Sequence, residues 1–124
     1  MTEPELPPPL EMACLCALWH LGEGNVGDVR RTAKSDRPLA YTTVLTLLHR
    51  LGQRGAVIRR KDGRLYRYRA AVERDAIRER AVEVFLDRYF DGSAAELRGF
   101  LERPGYHVAQ PASASELAGA AHST

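Results

Sequence analysis

The chain has 124 residues, a formal net charge of +2, 44% hydrophobic residues and 27% charged residues. This suits one domain of about 90–100 residues with looser ends and a modest core. No run approaches the roughly 18 apolar residues of a membrane helix, and no positive charge precedes the first apolar stretch as it would in a secretory leader, so a cytoplasmic protein is expected.

The charge is unevenly placed. Residues 1–29 hold five acids and no Lys or Arg, residues 30–80 hold fifteen Lys and Arg against five acids, and residues 81–124 hold three bases against six acids. A basic block between acidic ends is the electrostatic footprint of a polyanion-binding surface.

In chain order, residues 1–9 are proline-rich and read as a flexible lead-in, with Pro9 suited to a first helical turn. Leu10 to Leu21 is helix-like, with Leu10, Cys14, Leu18 and Leu21 on one side and Gly22 as its stop. Cys14 and Cys16 are two apart in that helix, point in different directions and cannot pair; small buried thiols are expected. Trp19 reads as a core or interface anchor, and His20 as an exposed or capping residue. Asn25 followed by Asp28 marks a helix start, with Val26, Val29 and Ala33 inward and Arg30 and Arg31 outward to about Lys34. Ser35-Asp36-Arg37-Pro38 is a turn.

The stretch from Leu39 to Arg69 organises the rest. Val44, Leu47, Leu48 and Leu51 recur at helical spacing, and the opposite face carries Thr42, Thr46, His49 and Gln53, with Arg50 on its flank. Gly55 is suited to ending this helix. Val57 to Lys61 and Arg64 to Arg69 read as two strands, joined by Asp62-Gly63 in a type I′ turn. Tyr66 and Tyr68 share one face of their strand and are expected to pack. A hydroxyl-faced helix followed by an arginine-rich hairpin is what a winged helix-turn-helix offers to duplex DNA.

Beyond the hairpin, residues 72–90 read as a long helix whose apolar stripe is Ile77, Ala81, Val84, Phe85 and Tyr89; a second copy of the helix is the simplest cover for it. Asp91-Gly92 breaks it. Ser93 and Glu96 form a capping box that starts a short helix carrying Leu97, Phe100 and Leu101. From 103 on, the composition is that of a disordered tail. The expected architecture is therefore mainly α with a small β-hairpin wing: a lead-in over 1–9, a winged-helix domain over 10–70, dimerisation helices over 71–102, and the tail over 103–124.

Several segments together resemble the BlaI/MecI penicillinase-repressor family, which includes copper-responsive members. They are Leu10-Glu11, Leu18-Trp19, Ala40-Tyr41-Thr42-Thr43-Val44 with Thr46 and Arg50-Leu51, Gly63-Arg64 with Tyr66 and Tyr68, and Phe90-Asp91-Gly92-Ser93 with Leu97. The resemblance implies a homodimeric repressor bound to a palindromic double-stranded DNA operator. It also implies, in the best-known members, relief through a membrane-bound sensor protease system and cleavage in the C-terminal helices. The family's cleaved Asn-Phe pair stands here as Gly99-Phe100, the final helix of longer members is not evident after Glu102, and the cysteine-rich motif of the copper-responsive members is absent.

On this reading Thr42, Thr43, Thr46 and Arg50 make major-groove contacts, Thr43 and Arg50 mostly to phosphates. His49 is either a base reader or a solvated residue, and Tyr41 either a phosphate contact or a packing residue. Arg60, Lys61, Arg64 and Arg67 are wing contacts to the backbone or minor groove, with Arg30 and Arg31 as second-tier phosphate contacts. No cofactor, metal or enzyme chemistry is expected: there is no Gly-rich phosphate loop, and His20, His49, His107 and His122 lack zinc-ligand spacing with Cys. Two other readings stay open, a ligand-sensing winged-helix regulator of another family and a winged-helix protein-interaction module.

Overall fold

A computed structural model describes residues 4–108. The elements are α1 (Pro9–Leu21), α2 (Val26–Thr32), α3 (Tyr41–Gln53), β1 (Val57–Asp62), β2 (Leu65–Ala70), α4 (Arg74–Tyr89) and α5 (Ala94–Leu101). They fall into two units, one up to Glu83 and one from Val84 on, with the boundary inside α4. Residues 1–3 of the expected lead-in and the expected tail from residue 109 lie outside the described residues. Among the described residues, no helix is long and apolar enough to cross a membrane.

Local chemistry sets the ends of the first helices. Pro9 occupies the first turn of α1, where its missing N–H costs nothing. Asn25 accepts from the Asp28 N–H at 2.8 Å while the Asp28 carboxylate accepts from the Asn25 N–H at 3.0 Å, so both first-turn donors of α2 are satisfied reciprocally. α2 ends at Thr32, short of the expected Lys34, because Ala33 is already extended at φ −64°, ψ 134°.

The core of the first unit forms where the α3 ridge of Val44, Leu47, Leu48 and Leu51 meets Cys14, Leu15 and Leu18 of α1, Val26 and Val29 of α2, and Val57 and Tyr68 of the strands. α1 packs against α2, α3 and β2, so its buried face is wider than one stripe: Leu15 and Ala17 are inside with Cys14 and Leu18. Leu10, expected on that face, is exposed in the first turn. The cysteines differ as well. Cys14 is buried, and burial, with the Glu11 charge adding, pushes its thiol up to about 11; Cys16 is exposed, contrary to the expectation of buried thiols. Glu11 is buried beside it and is held by Arg54, whose Nε donates at 2.9 Å, while Arg54 Nη1 donates to Glu5 at 2.8 Å. This ties the end of α3 to the start of α1 and raises the Arg54 pKa, first through the Glu11 hydrogen bond.

The hairpin differs from its expected register. Asp62 pairs with Leu65, so the two-residue turn is Gly63-Arg64 and not Asp62-Gly63. Gly63 alone has positive φ, at 65°, which is the pattern of a type II′ turn with glycine at its first central position. Pairing moves by two residues, so the period-2 alternation survives and no side chain changes face. Val57, Arg59, Lys61, Tyr66, Tyr68 and Ala70 share one face; Ile58, Arg60, Asp62, Leu65, Arg67 and Arg69 share the other. Tyr68 is buried as expected. Tyr66 is exposed, covered only by the Arg59 guanidinium 4.0 Å over its ring.

Two contacts anchor the hairpin to the segment before α2. Gly24 and Tyr68 exchange backbone hydrogen bonds at 3.0 and 2.7 Å, an isolated bridge alongside β2. Next to it, the Glu23 carboxylate accepts from Arg60 Nε at 2.9 Å, Arg60 Nη2 at 3.0 Å and Arg67 Nε at 3.4 Å. The Arg60 hydrogen bond, with Arg67 adding, holds the Glu23 carboxyl below the usual carboxylate range.

In the second unit, Asp91 (φ 50°) and Gly92 (φ 75°) turn the chain, and the Ser93 side chain accepts from the Glu96 N–H at 3.1 Å to start α5. Phe85 lies 5.4 Å from both Tyr89 and Phe90, and Phe90 lies 5.5 Å from Phe100. Arg103 and Tyr106, expected in the loose tail, pack on Phe100 instead, Arg103 at 3.9 Å over the ring and Tyr106 at 5.1 Å.

Leu48 is fully buried at the centre of the ridge. Leu48→Ala should therefore lower unfolding stability by about 2–5 kcal/mol in urea denaturation. A carboxyl held low contributes stability that is fully present above its unfolded pKa and lost as pH falls through the folded one. In an NMR titration, the Arg60 and Arg67 side-chain Nε signals should stay constant at neutral pH and move only below the ordinary glutamate pKa of about 4.3.

Candidate nucleic-acid interface

With its apolar ridge inward, α3 turns Thr42, Thr43, Thr46, His49 and Arg50 to solvent, and all five are exposed. They fall in two groups by the 100° helical step. Thr46, His49 and Gln53 face a groove of about 640 Å³ between α3 and the hairpin, whose strand side carries Arg59 over Val57 and Tyr68. Thr42 falls in the same sector, whereas Thr43 and Arg50 lie on the other flank of the helix, outside that groove. Thr46 Oγ1 donates to the Thr42 carbonyl at 3.0 Å, so its proton is spent inside the helix, leaving an acceptor lone pair and a methyl group outward. Arg50 has no hydrogen bond or ion pair among the described residues. Tyr41 is exposed at the start of the helix.

The four wing cations do not form one set. Lys61 and Arg64 make no ion pair among the described residues and stand at the tip of the hairpin. Arg60 and Arg67 lie on the strand face opposite Arg59 and are gripped by Glu23, with Asp62 a further 4.0 Å neighbour of Arg67. Their first partner is a carboxylate of this chain, so of the expected wing contacts these two are already engaged within it. Arg59, missing from the sequence-based set, is the cation that shares the groove with α3. Strand alternation carried the signal: once Val57 points inward, Arg59 and Lys61 follow on its face and Arg60 does not.

At the turn between α2 and α3, Arg30 and Arg31 are exposed but engaged, Arg30 Nε donating to the Leu39 carbonyl at 2.9 Å and Arg31 Nη2 to Asp28 at 2.6 Å. With Lys34 and Arg37 they line a recess of about 590 Å³. Lys34 and Arg37 were not singled out in the sequence, because a turn gives no periodicity from which to read direction. Among the described residues, no group of three or more His, Cys, Asp or Glu is placed to hold a metal ion.

The dimerisation residues expected from the apolar stripe separate as well. Ile77 is 4% exposed within its own unit, so it offers no surface to a second copy, which corrects that assignment. Ala81, Phe85, Tyr89, Phe100 and Leu101 are exposed, while Val84 and Leu97 are half-buried.

Two relatives from Mycobacterium tuberculosis, of strains CDC 1551 / Oshkosh and ATCC 25618 / H37Rv, both described as transcriptional regulator BlaI, are 38% identical over 69 residues, 55% of this chain and 50% of theirs. The chain thus spans about half the length of the curated relatives it matches. The solution structure of Bacillus licheniformis BlaI, in its monomeric form in complex with the blaP half-operator, is similar at a TM-score of 0.48 and 21% identity, covering 60% of this chain and 90% of that one. The model of the penicillinase repressor family matches residues 8–107, and the chain belongs to that family.

Proposed function

We propose that the chain is a sequence-specific DNA-binding transcriptional repressor that acts as a homodimer on a palindromic operator. The observation that carries this reading is the exposed threonine-lined face of α3 sharing one groove with a hairpin that presents Arg59 and carries Lys61 and Arg64 at its tip. The family description and the relatives' description as transcriptional regulators support it.

In this reading residues 10–70 bind the duplex and residues 71–102 join two copies. α3 enters the major groove. Thr42 and Thr46 meet base edges and thymine methyls, His49 and Arg59 follow the groove on the wing side, and Arg50 with Thr43 grips the far strand or a guanine. Lys61 and Arg64 at the hairpin tip neutralise flanking phosphates, Arg30 holds the turn that presents α3 through the Leu39 carbonyl, and Arg31, paired with Asp28 inside α2, stands as a further phosphate contact. Arg60 and Arg67 position the hairpin through Glu23 and reach phosphate only if that grip is released. Two copies meet through Phe85, Tyr89, Phe100 and Leu101, an exposed apolar surface of the kind that marks association sites. Gly99-Phe100 lies inside α5 on that surface. A cut there by a membrane-bound sensor protease system would remove part of the contact, and repression with it.

Duplex binding measured by fluorescence anisotropy on a selected operator tests the first half. Arg50→Ala should weaken specific binding by about 1–3 kcal/mol, and Arg64→Ala should lower the salt slope by about one while sparing sequence preference. Wild-type affinity in both variants would remove α3 and the wing from the interface. For the second half, Phe85→Asp should shift the sedimentation coefficient to that of a single chain; an unchanged profile would place the contact between copies elsewhere.

A further inference from the structure

Between α1 and the first half of α4, within the unit up to Glu83, lies a recess of about 540 Å³. That size falls in the range of small-molecule sites, about 300–1,000 Å³. Met12, Trp19, Ile77 and Ala81 supply much of its apolar wall, with Leu6 and Pro7 from the segment before α1. Trp19 spends its single donor on the Val72 carbonyl at 3.1 Å, so its indole gives the recess a fixed apolar surface and no polar group.

Among the described residues, Arg74 and Arg78 are the charged side chains that line it, with His20 beside them, and no carboxylate does. Arg74 has no hydrogen bond or ion pair among the described residues. Arg78 touches Asp75 at 3.2 Å in a pair whose side chains are 62% and 80% exposed, a contact of little strength in water. An apolar floor under two guanidinium groups, one without a partner among the described residues and one in a solvent-exposed pair, complements a molecule with an apolar body and an anionic end. Apart from Ala81 and the already buried Ile77, no residue proposed for duplex binding or for joining two copies takes part.

We propose that this recess binds a small amphipathic anion, an alkyl or aryl body resting on Trp19 and Met12 with its carboxylate or sulfonate at Arg74 and Arg78. The site wedges between α1, which lies under the duplex-binding core, and the helix that leaves it. It is therefore placed to let such a molecule act on both. The binding claim itself does not depend on the repressor reading.

The test uses the full chain without DNA and anilinonaphthalene sulfonate as probe. Trp19 is the only tryptophan, so energy transfer from it reports probe bound within reach of that one indole, and the variants tie the signal to this recess. Saturable transfer with one site per chain is expected, displaced by decanoate but not by decyltrimethylammonium. Arg74→Ala/Arg78→Ala should weaken it roughly tenfold or more. The wild-type chain gives a second measure that needs no variant: Cys16 lines the recess and is exposed, whereas Cys14 is buried. Decanoate should slow maleimide capture of Cys16, and prior capture should abolish transfer. Transfer unchanged in the double variant or after capping of Cys16, or displaced equally by the cationic amphiphile, would overturn the proposal. So would the absence of saturable transfer, or its loss in Phe85→Asp with the arginine variant unaffected, which would assign the probe to the aromatic surface of the second unit.

Discussion

Burial of the Val44, Leu47, Leu48 and Leu51 ridge decides what the rest of the first unit can do. A helix has one rotational setting that removes all four side chains from water, and each leucine left outside would forfeit roughly 1.5–3 kcal/mol. α1, α2 and the base of the hairpin close over that ridge. The direction in which the threonines and Arg50 point is thus a consequence of core packing. The outward face is free to be chosen for what it touches, since no residue on it contributes to the core.

The cations around this frame are sorted by the acids they meet. Arg54 is consumed by the buried Glu11, Arg31 by Asp28, and Arg60 and Arg67 by Glu23. Arg50, Lys61 and Arg64 meet none among the described residues. A basic block of fifteen Lys and Arg therefore holds cations of two kinds. Some hold the scaffold in shape, and the others are left as positive charge whose counterions a polyanion can displace. Glu23 belongs to both accounts: it fixes the hairpin beside α3 and withdraws two arginines from the surface in doing so.

In α4 the same reasoning separates a stripe that looks continuous along the chain. Ile77 is buried in the first unit, whereas Phe85 and Tyr89 are exposed in the second. The apolar surface left open is aromatic, with rings about 5.1–5.5 Å apart from Phe85 to Tyr106. Tilted ring contacts of this kind leave large apolar areas exposed, the kind of surface that marks association sites.

The helices and the hairpin, though not all their ends, the caps at Asn25 and Ser93, the inward ridge of α3 and the family resemblance were legible in the residues, because each depends on neighbours a few positions away and on the fixed periods of helix and strand. What lay beyond that reach was set by packing between distant segments. The turn stands at Gly63-Arg64 and not at Asp62-Gly63, a choice between two registers with the same alternation that periodicity by itself does not make. Cys16 stayed outside while Cys14 went in, since only the arrangement of neighbours around α1 separates two thiols two residues apart. Which arginines stay without an acid partner among the described residues and which hold a carboxylate likewise needed three dimensions: Glu23 lies 37 residues from Arg60 in sequence, and no local pattern links residues so far apart.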